Sequence, residues 1–244
     1  MVQISELTVR AGDRFLFRDL SFRLGRGEWA CLVGPPERGQ ALLEVLCGLR
    51  RPERGQVLVD DRNVIRLSPE KLRLLHRRLG IVFGELGLRR GATPEGCVTL
   101  KLRALELSAE EARARAHRAL SLVGLCRADD AEAPGGSAHA KGSKQRRVEE
   151  LSPGERRLLQ LAVALCDDPV LLLLEEPLEG LSPPEQRRYL RALEEVFLRR
   201  RLTLLMTARD PEPLRGSPAL LYALRPEGIV PWPWAGDRRG EEMP

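Results

Sequence analysis

Gly34-Pro35-Pro36-Glu37-Arg38-Gly39-Gln40-Ala41 is the stretch on which the reading of this chain turns. The apolar run Trp29-Ala30-Cys31-Leu32-Val33 precedes it and reads as a buried strand, and Leu42-Leu43-Glu44-Val45-Leu46 follows and reads as a helix. Strand, glycine turn and helix is the context of a phosphate-binding loop, whose pattern is a glycine, four residues, then Gly-Lys-Ser/Thr. Gly34 and Gly39 keep that spacing, but Gln40 stands in the lysine position and Ala41 in the hydroxyl position. In a working loop, backbone N–H groups at a helix N-terminus surround an anion, the lysine neutralises the outer phosphates and the hydroxyl ligates Mg²⁺. Gln40 can hydrogen-bond a phosphate but brings no charge, and Ala41 cannot bind a metal. Glu37 adds a carboxylate where like charge is repelled, with Arg38 as a partial offset. The frame is present and its chemistry is missing; on this segment alone, a strand–turn–helix with no ligand is the plain alternative.

Outward from that stretch, residues 3–8 and 15–24 alternate apolar and polar side chains around the turn Ala11-Gly12-Asp13, as half-buried antiparallel strands do. On the other side, Arg51-Pro52-Glu53-Arg54-Gly55 turns into a short strand at 56–59. Asp60-Asp61-Arg62-Asn63 reads as a further turn, and Ser68-Pro69-Glu70 as a helix start. Leu79-Gly80-Ile81-Val82-Phe83 is another buried strand. Residues 100–125 have helical periodicity, with Ser108-Ala109-Glu110-Glu111 as a capping box, and belong to a helical subdomain expected over about 86–165. Residues 133–147 contain too little apolar surface to pack and read as a mobile loop, whose Lys141, Lys144, Arg146 and Arg147 are solvated cations or contacts for phosphate or lipid head groups.

Beyond that loop come Leu151-Ser152-Pro153-Gly154-Glu155 and a helix through Cys166. The most apolar run, Val170-Leu171-Leu172-Leu173-Leu174, ends in Glu175-Glu176-Pro177. A helix at 184–201, a strand at 202–206, a hairpin across Arg225-Pro226-Glu227 and a polar tail at 236–244 complete the pattern. Interleaved strands and helices predict an α/β domain over 1–235 with a mostly parallel core sheet and an N-terminal antiparallel β subdomain.

At 244 residues the chain is long enough to bury a proper core. No apolar run reaches the ~18 residues of a spanning helix, and the N-terminus does not read as a signal peptide, so a cytoplasmic location is expected. The five cysteines are scattered without metal-ligand spacing and read as buried thiols, so no metal site is expected from them. The net charge of +5, spread along the chain, is a weak argument for a nucleic-acid or anionic-membrane partner.

Four landmarks in fixed order resemble the ATP-binding cassette family, the ATPase subunits of ABC transporters. They are the loop at 34–41, Leu151-Ser152-Pro153-Gly154-Glu155, the apolar strand ending in Glu175-Glu176-Pro177, and Gly180-Leu181-Ser182-Pro183. Asp19-Leu20-Ser21-Phe22, the turn at 51–55 and Arg78-Leu79-Gly80-Ile81-Val82-Phe83 look most like its cell-division and lipoprotein-release branch. The resemblance implies a P-loop NTPase-like fold. It also implies a sandwich of two subunits, each ATP lying between the phosphate loop of one chain and the signature segment of the other, with closure driving a membrane-embedded permease-like partner.

Carried over residue by residue, the resemblance makes Gly34, Arg38, Gly39, Gln40 and Ala41 the phosphate-loop positions and Ser152, Gly154 and Glu155 the better-kept signature positions. Glu176 is the retained carboxylate that would polarise water, Glu175 stands for the usual Asp, and Gly84 for the usual metal-contacting Gln. Arg209 stands where a His contacts the γ-phosphate, as a phosphate contact or a surface cation. Ser182 replaces an Asp, and Phe15 is a displaced candidate for stacking on adenine. What is expected is a degenerate cassette subunit, peripheral at the inner face of the membrane, binding ATP weakly, with Mg²⁺ and nucleic acid not expected and hydrolysis weak or absent. A scaffold that binds no nucleotide and an ATPase with a rebuilt site are the alternatives.

Overall fold

The computed structural model describes residues 1–84, 88–126 and 146–233. In chain order, the first half contains β1 (Val2–Ala11), β2 (Arg14–Leu24), β3 (Trp29–Val33), α1 (Pro36–Leu46), β4 (Arg54–Val59), β5 (Arg62–Asn63), α2 (Pro69–His76) and β6 (Leu79–Val82). The second half contains α3 (Pro94–Ala104), α4 (Ala109–Leu122), α5 (Pro153–Leu165), β7 (Leu171–Leu174), α6 (Pro183–Arg200), β8 (Thr203–Ala208), β9 (Leu220–Arg225) and β10 (Gly228–Pro231). Two sheets result, an antiparallel one in the order β2-β1-β4-β5 and a six-stranded one in the order β10-β9-β3-β8-β7-β6. In the second sheet every pair but β10–β9 is parallel.

The central strands are apolar throughout because both of their faces are covered. Trp29, Cys31 and Val33 face a core that includes α5 and α6, whereas Ala30 and Leu32 face one shared with α1 and the antiparallel sheet. Leucines of β7 divide the same way, Leu172 and Leu174 to the first core and Leu171 and Leu173 to the second. The edge sheet has the expected alternation, with irregular register where Glu6 and Asp19 take positive φ.

Several boundaries move. The turn expected over 60–63 is only Asp60-Asp61, both left-handed at φ 49° and 62°, and Arg62–Asn63 pairs back on β4 as the two-residue strand β5. That is the backbone a two-residue hairpin demands. The helical run read from residue 100 starts earlier, at Pro94, within the subdomain expected over about 86–165, and there the Thr93 hydroxyl accepts the Gly96 N–H at 3.1 Å. Ser108 caps α4 as expected, accepting the Glu111 N–H at 3.1 Å. Residues 133–145 of the expected mobile loop and the tail at 236–244 lie outside the described residues. Arg146 and Arg147, assigned to that loop, have structural partners instead. Arg146 forks onto Glu155 at 2.9 and 3.0 Å, and Arg147 donates to the Gly91 carbonyl at 2.5 Å.

Candidate functional site

The parallel strands β3, β8, β7 and β6 end side by side, with Val33 opposite Ala208, Leu174 opposite Met206 and Val82 opposite Leu174. Just beyond those ends the Gly34 N–H donates to the Ala208 carbonyl at 3.0 Å and the Glu175 N–H to that of Val82 at 2.9 Å. The Glu176 N–H donates to the Thr207 hydroxyl at 3.2 Å. Gly34, Glu175, Glu176 and Arg209 therefore share the carboxyl-end rim, where open parallel sheets bind ligands.

The loop itself is not the open turn expected from its glycine spacing. Helix α1 begins at Pro36, not at 42, and the Arg38 and Gly39 N–H groups both donate to the Pro35 carbonyl, at 3.0 and 3.2 Å. Pro35 and Pro36 have no N–H to offer. Of the donors that a phosphate loop aims at an anion, those at Pro35 and Pro36 are thus absent and those of Arg38 and Gly39 are used within the helix. Pro36 near the helix start explains the early nucleation, since its fixed φ suits the first turn and its missing N–H costs nothing there. Glu37, read as facing the loop, pairs with Arg14 of β2 at 3.6 Å. Gly39 is needed for close approach, because a Cβ there would lie 3.0 Å from Thr207 Cβ and Cγ2. Ala41 is fully buried in the apolar core, and exposed Gln40 donates to Glu44 at 2.9 Å. Glu44 is also held by Arg50 at 2.7 Å. Arg38 is half-buried, its Nε shielded from water and without a hydrogen-bond partner.

Burial pushes the Glu175 carboxyl up, with Glu44 adding to the rise, while the Gly84 N–H and Arg157 oppose it. Burial likewise pushes Glu176 up against the pull of Arg209, with Glu179 and Glu175 reinforcing the rise. Glu176 also sits at φ 43°, and its Oε1 is shielded with no partner. A half-buried carboxylate at a strand end, its pKa raised by burial, has the electrostatic profile of a general base. Its neighbour Arg209 is paired with Glu179 at 3.6 Å. Where a Gln side chain was expected, Gly84 contributes only backbone, its carbonyl accepting from Arg157 Nη1 at 2.9 Å and Gln160 Nε2 at 2.7 Å.

Ser152 caps α5 by accepting the Glu155 N–H at 3.2 Å, while Glu155 Oε2 accepts the Ser152 N–H at 2.8 Å. The residue missed in the sequence is Glu185. Its Oε1 accepts from the Ser152 hydroxyl at 3.1 Å and the Gly154 N–H at 3.0 Å, and its Oε2 from the Ser182 N–H at 3.0 Å and hydroxyl at 2.7 Å. Those donors, the Ser182 hydroxyl first, hold the Glu185 carboxyl at about 2. The spacing Ser182-x-x-Glu185 signals a capping box, but not the reach to α5. Phe15 is engaged already, with the guanidinium carbons of Arg10 and Arg18 lying 3.8 and 3.9 Å from its ring centroid.

Residues 17–179 match the family model described as ABC transporter. The methionine import ATP-binding protein MetN of Rhizobium johnstonii is 31% identical over 88% of this chain and 56% of its own length. This chain thus spans little more than half of that protein. The phosphonates import ATP-binding protein PhnC 1 of Rhodopseudomonas palustris is 30% identical over 86% of this chain and 73% of its own. A dimeric bacterial ABC transporter cassette has the same fold at a TM-score of 0.75, with 20% identity, over 94% of this chain and 96% of that one. Sequence match and strand-end geometry agree, and the chain belongs to the ABC transporter family of ATP-binding cassettes.

Proposed function

We propose that this chain is a cassette subunit that docks on a membrane permease beside a second cassette, at the inner face of the membrane, and hydrolyses ATP weakly or not at all. The observation that carries the reading is the start of α1 at Pro36, which spends the Arg38 and Gly39 N–H groups inside the helix. Gln40 and Ala41 add neither a cation nor a metal-ligating oxygen, so the residues at this loop do not fit a Mg²⁺–triphosphate. Loss of a single transition-state donor costs about 3 kcal/mol in comparable sites, and here several donors and the lysine are missing together. Glu176 keeps the profile of a base, but a base cannot replace the charge stabilisation of the transferring phosphoryl group. The relatives are ATP-binding proteins for methionine and phosphonates import, and a structurally similar transporter cassette is dimeric, which supports the assignment of partners.

Calorimetric titration of the purified chain with ATP, with and without Mg²⁺, tests the reading alongside phosphate release. Weak, metal-independent binding without turnover is expected; metal-dependent turnover by the chain alone would overturn it. A scaffold that binds no nucleotide is the second reading, favoured by the carboxylate of Glu185 on the signature segment. Absence of binding at millimolar ATP would put it first. A rebuilt site would need Arg38 or Arg209 to supply the lost charge, and Arg209 already faces Glu179, which leaves Arg38.

A further inference from the structure

We propose that Glu185 is an internal plug that closes the signature segment of this chain to outside anions. The inference rests on the reading above, in which that segment faces a nucleotide held by a partner cassette. One carboxylate joins the starts of two helices, the 13-residue α5 and the 18-residue α6, so both helix dipoles act on it. Its two oxygens accept four hydrogen bonds, two from Ser152 and Gly154 and two from Ser182. A phosphate oxygen seeking the Ser152 hydroxyl and the Gly154 N–H would find both donating to Glu185. It would also meet a full negative charge within hydrogen-bonding reach.

Three further features fit a plug and not a chance contact. Glu155, the other carboxylate of the segment, is neutralised by the Arg146 fork, whereas Glu185 has no ion-pair partner among the described residues. Its charge is balanced by N–H and O–H donors alone, the same donors an incoming anion would need. Ser182 also stands where the family resemblance places an Asp, and its hydroxyl is the shortest donor to Glu185, at 2.7 Å. An Asp there would set two carboxylates against each other, so Ser182 and Glu185 form a matched pair. The contact is close-packed as well: a Cβ on Gly154 would lie 2.8 Å from Glu185 Cγ, so the Glu185 side chain stands directly against the Gly154 backbone.

The test is a titration of the ¹⁵N-labelled full chain with inorganic phosphate at constant ionic strength, read at the Gly154 amide. In the wild type that amide should not shift beyond a chloride control. In Glu185→Ala it should move saturably with phosphate, with an apparent affinity about tenfold or more above any wild-type response, as expected when a like charge at contact is removed. Glu185→Gln, which keeps the shape and one acceptor, should fall between the two and guards against a folding defect in the alanine variant. Ser182→Ala loosens the other end of the carboxylate and should open the segment in part. An equal Gly154 shift in wild type and Glu185→Ala, or none in any variant, would overturn the plug. Neither result bears on ATP binding by α1, which the calorimetric titration decides separately.

Discussion

Glu176 shows how much strain one residue at this rim carries. It takes a left-handed φ of 43° that a non-glycine residue adopts at a cost, and it holds a shielded carboxylate oxygen with no partner. Burial raises its pKa, so the folded protein keeps a proton that the unfolded chain has released. Stability therefore falls as pH rises from 4.5 toward the raised folded value. Glu176→Gln should remove that fall and stabilise the protein at neutral pH by about 1 kcal/mol or less, allowing for solvent screening. Urea midpoints at neutral and mildly acid pH check it; equal midpoints for wild type and variant at neutral pH would show that the carboxylate is not strained. Glu185 has the opposite sign. Its pKa is depressed to about 2, so its contribution is present above 4.5 and is lost as pH falls toward about 2. Glu185→Gln should flatten the acid limb of the stability curve, which acid titration followed by circular dichroism would reveal. The identities at 40, 41 and 176 were legible in the sequence because motif spacing places them. The role of Glu185 was not, because the Gly154 N–H it accepts lies 31 residues away in sequence.

At the scale of elements, the strands were easy to read and the helix starts were not. Trp29–Val33 and Leu171–Leu174 are apolar at every position because both faces are buried, a signal that survives without neighbours. Glycine spacing suggests an open turn and a late start for α1, whereas Pro36 near the helix start and the Pro35 carbonyl acceptor favour an earlier one. That local preference has a consequence for repair. Restoring the motif residues alone, as Gln40→Lys with Ala41→Ser, should not restore turnover, because the N–H groups of Arg38 and Gly39 remain inside the helix. The serine would also place a hydroxyl where Ala41 is fully buried among apolar side chains, costing about 1–3 kcal/mol if unpaired. Phosphate release by the double variant should match the wild type. Metal-dependent release from it would show that the helical start opens readily and that chemistry, not geometry, is what this loop lacks.

For the whole molecule, the sequence predicted both sheets but not the order of their strands, since β3 pairs with β8 and β9 across most of the chain. What joins the sheets is partly apolar and partly ionic. The second core runs without a break from Val2, Ile4 and Leu7 of the antiparallel sheet to Ala30, Leu32 and Leu205 of the central one. Beside it, Asp60 in the β4–β5 turn, only 8% exposed, accepts from Arg26 at 3.0 Å, just before β3, and pairs with Arg78 at 2.8 Å, just before β6. Burial alone would raise the Asp60 pKa, but the two guanidinium groups together hold it below the usual value of 3.8. Its stabilisation is thus complete above that value and is lost as pH falls through the depressed one. Asp60→Ala should cost about 1–3 kcal/mol at neutral pH, since both cations keep water access and lose only their shared partner. The loss should appear as a lower midpoint in a single unfolding transition of unchanged slope, because the shared apolar core still makes the two sheets unfold as one unit. Two transitions would mean that Asp60, and not the apolar core, is what couples the sheets.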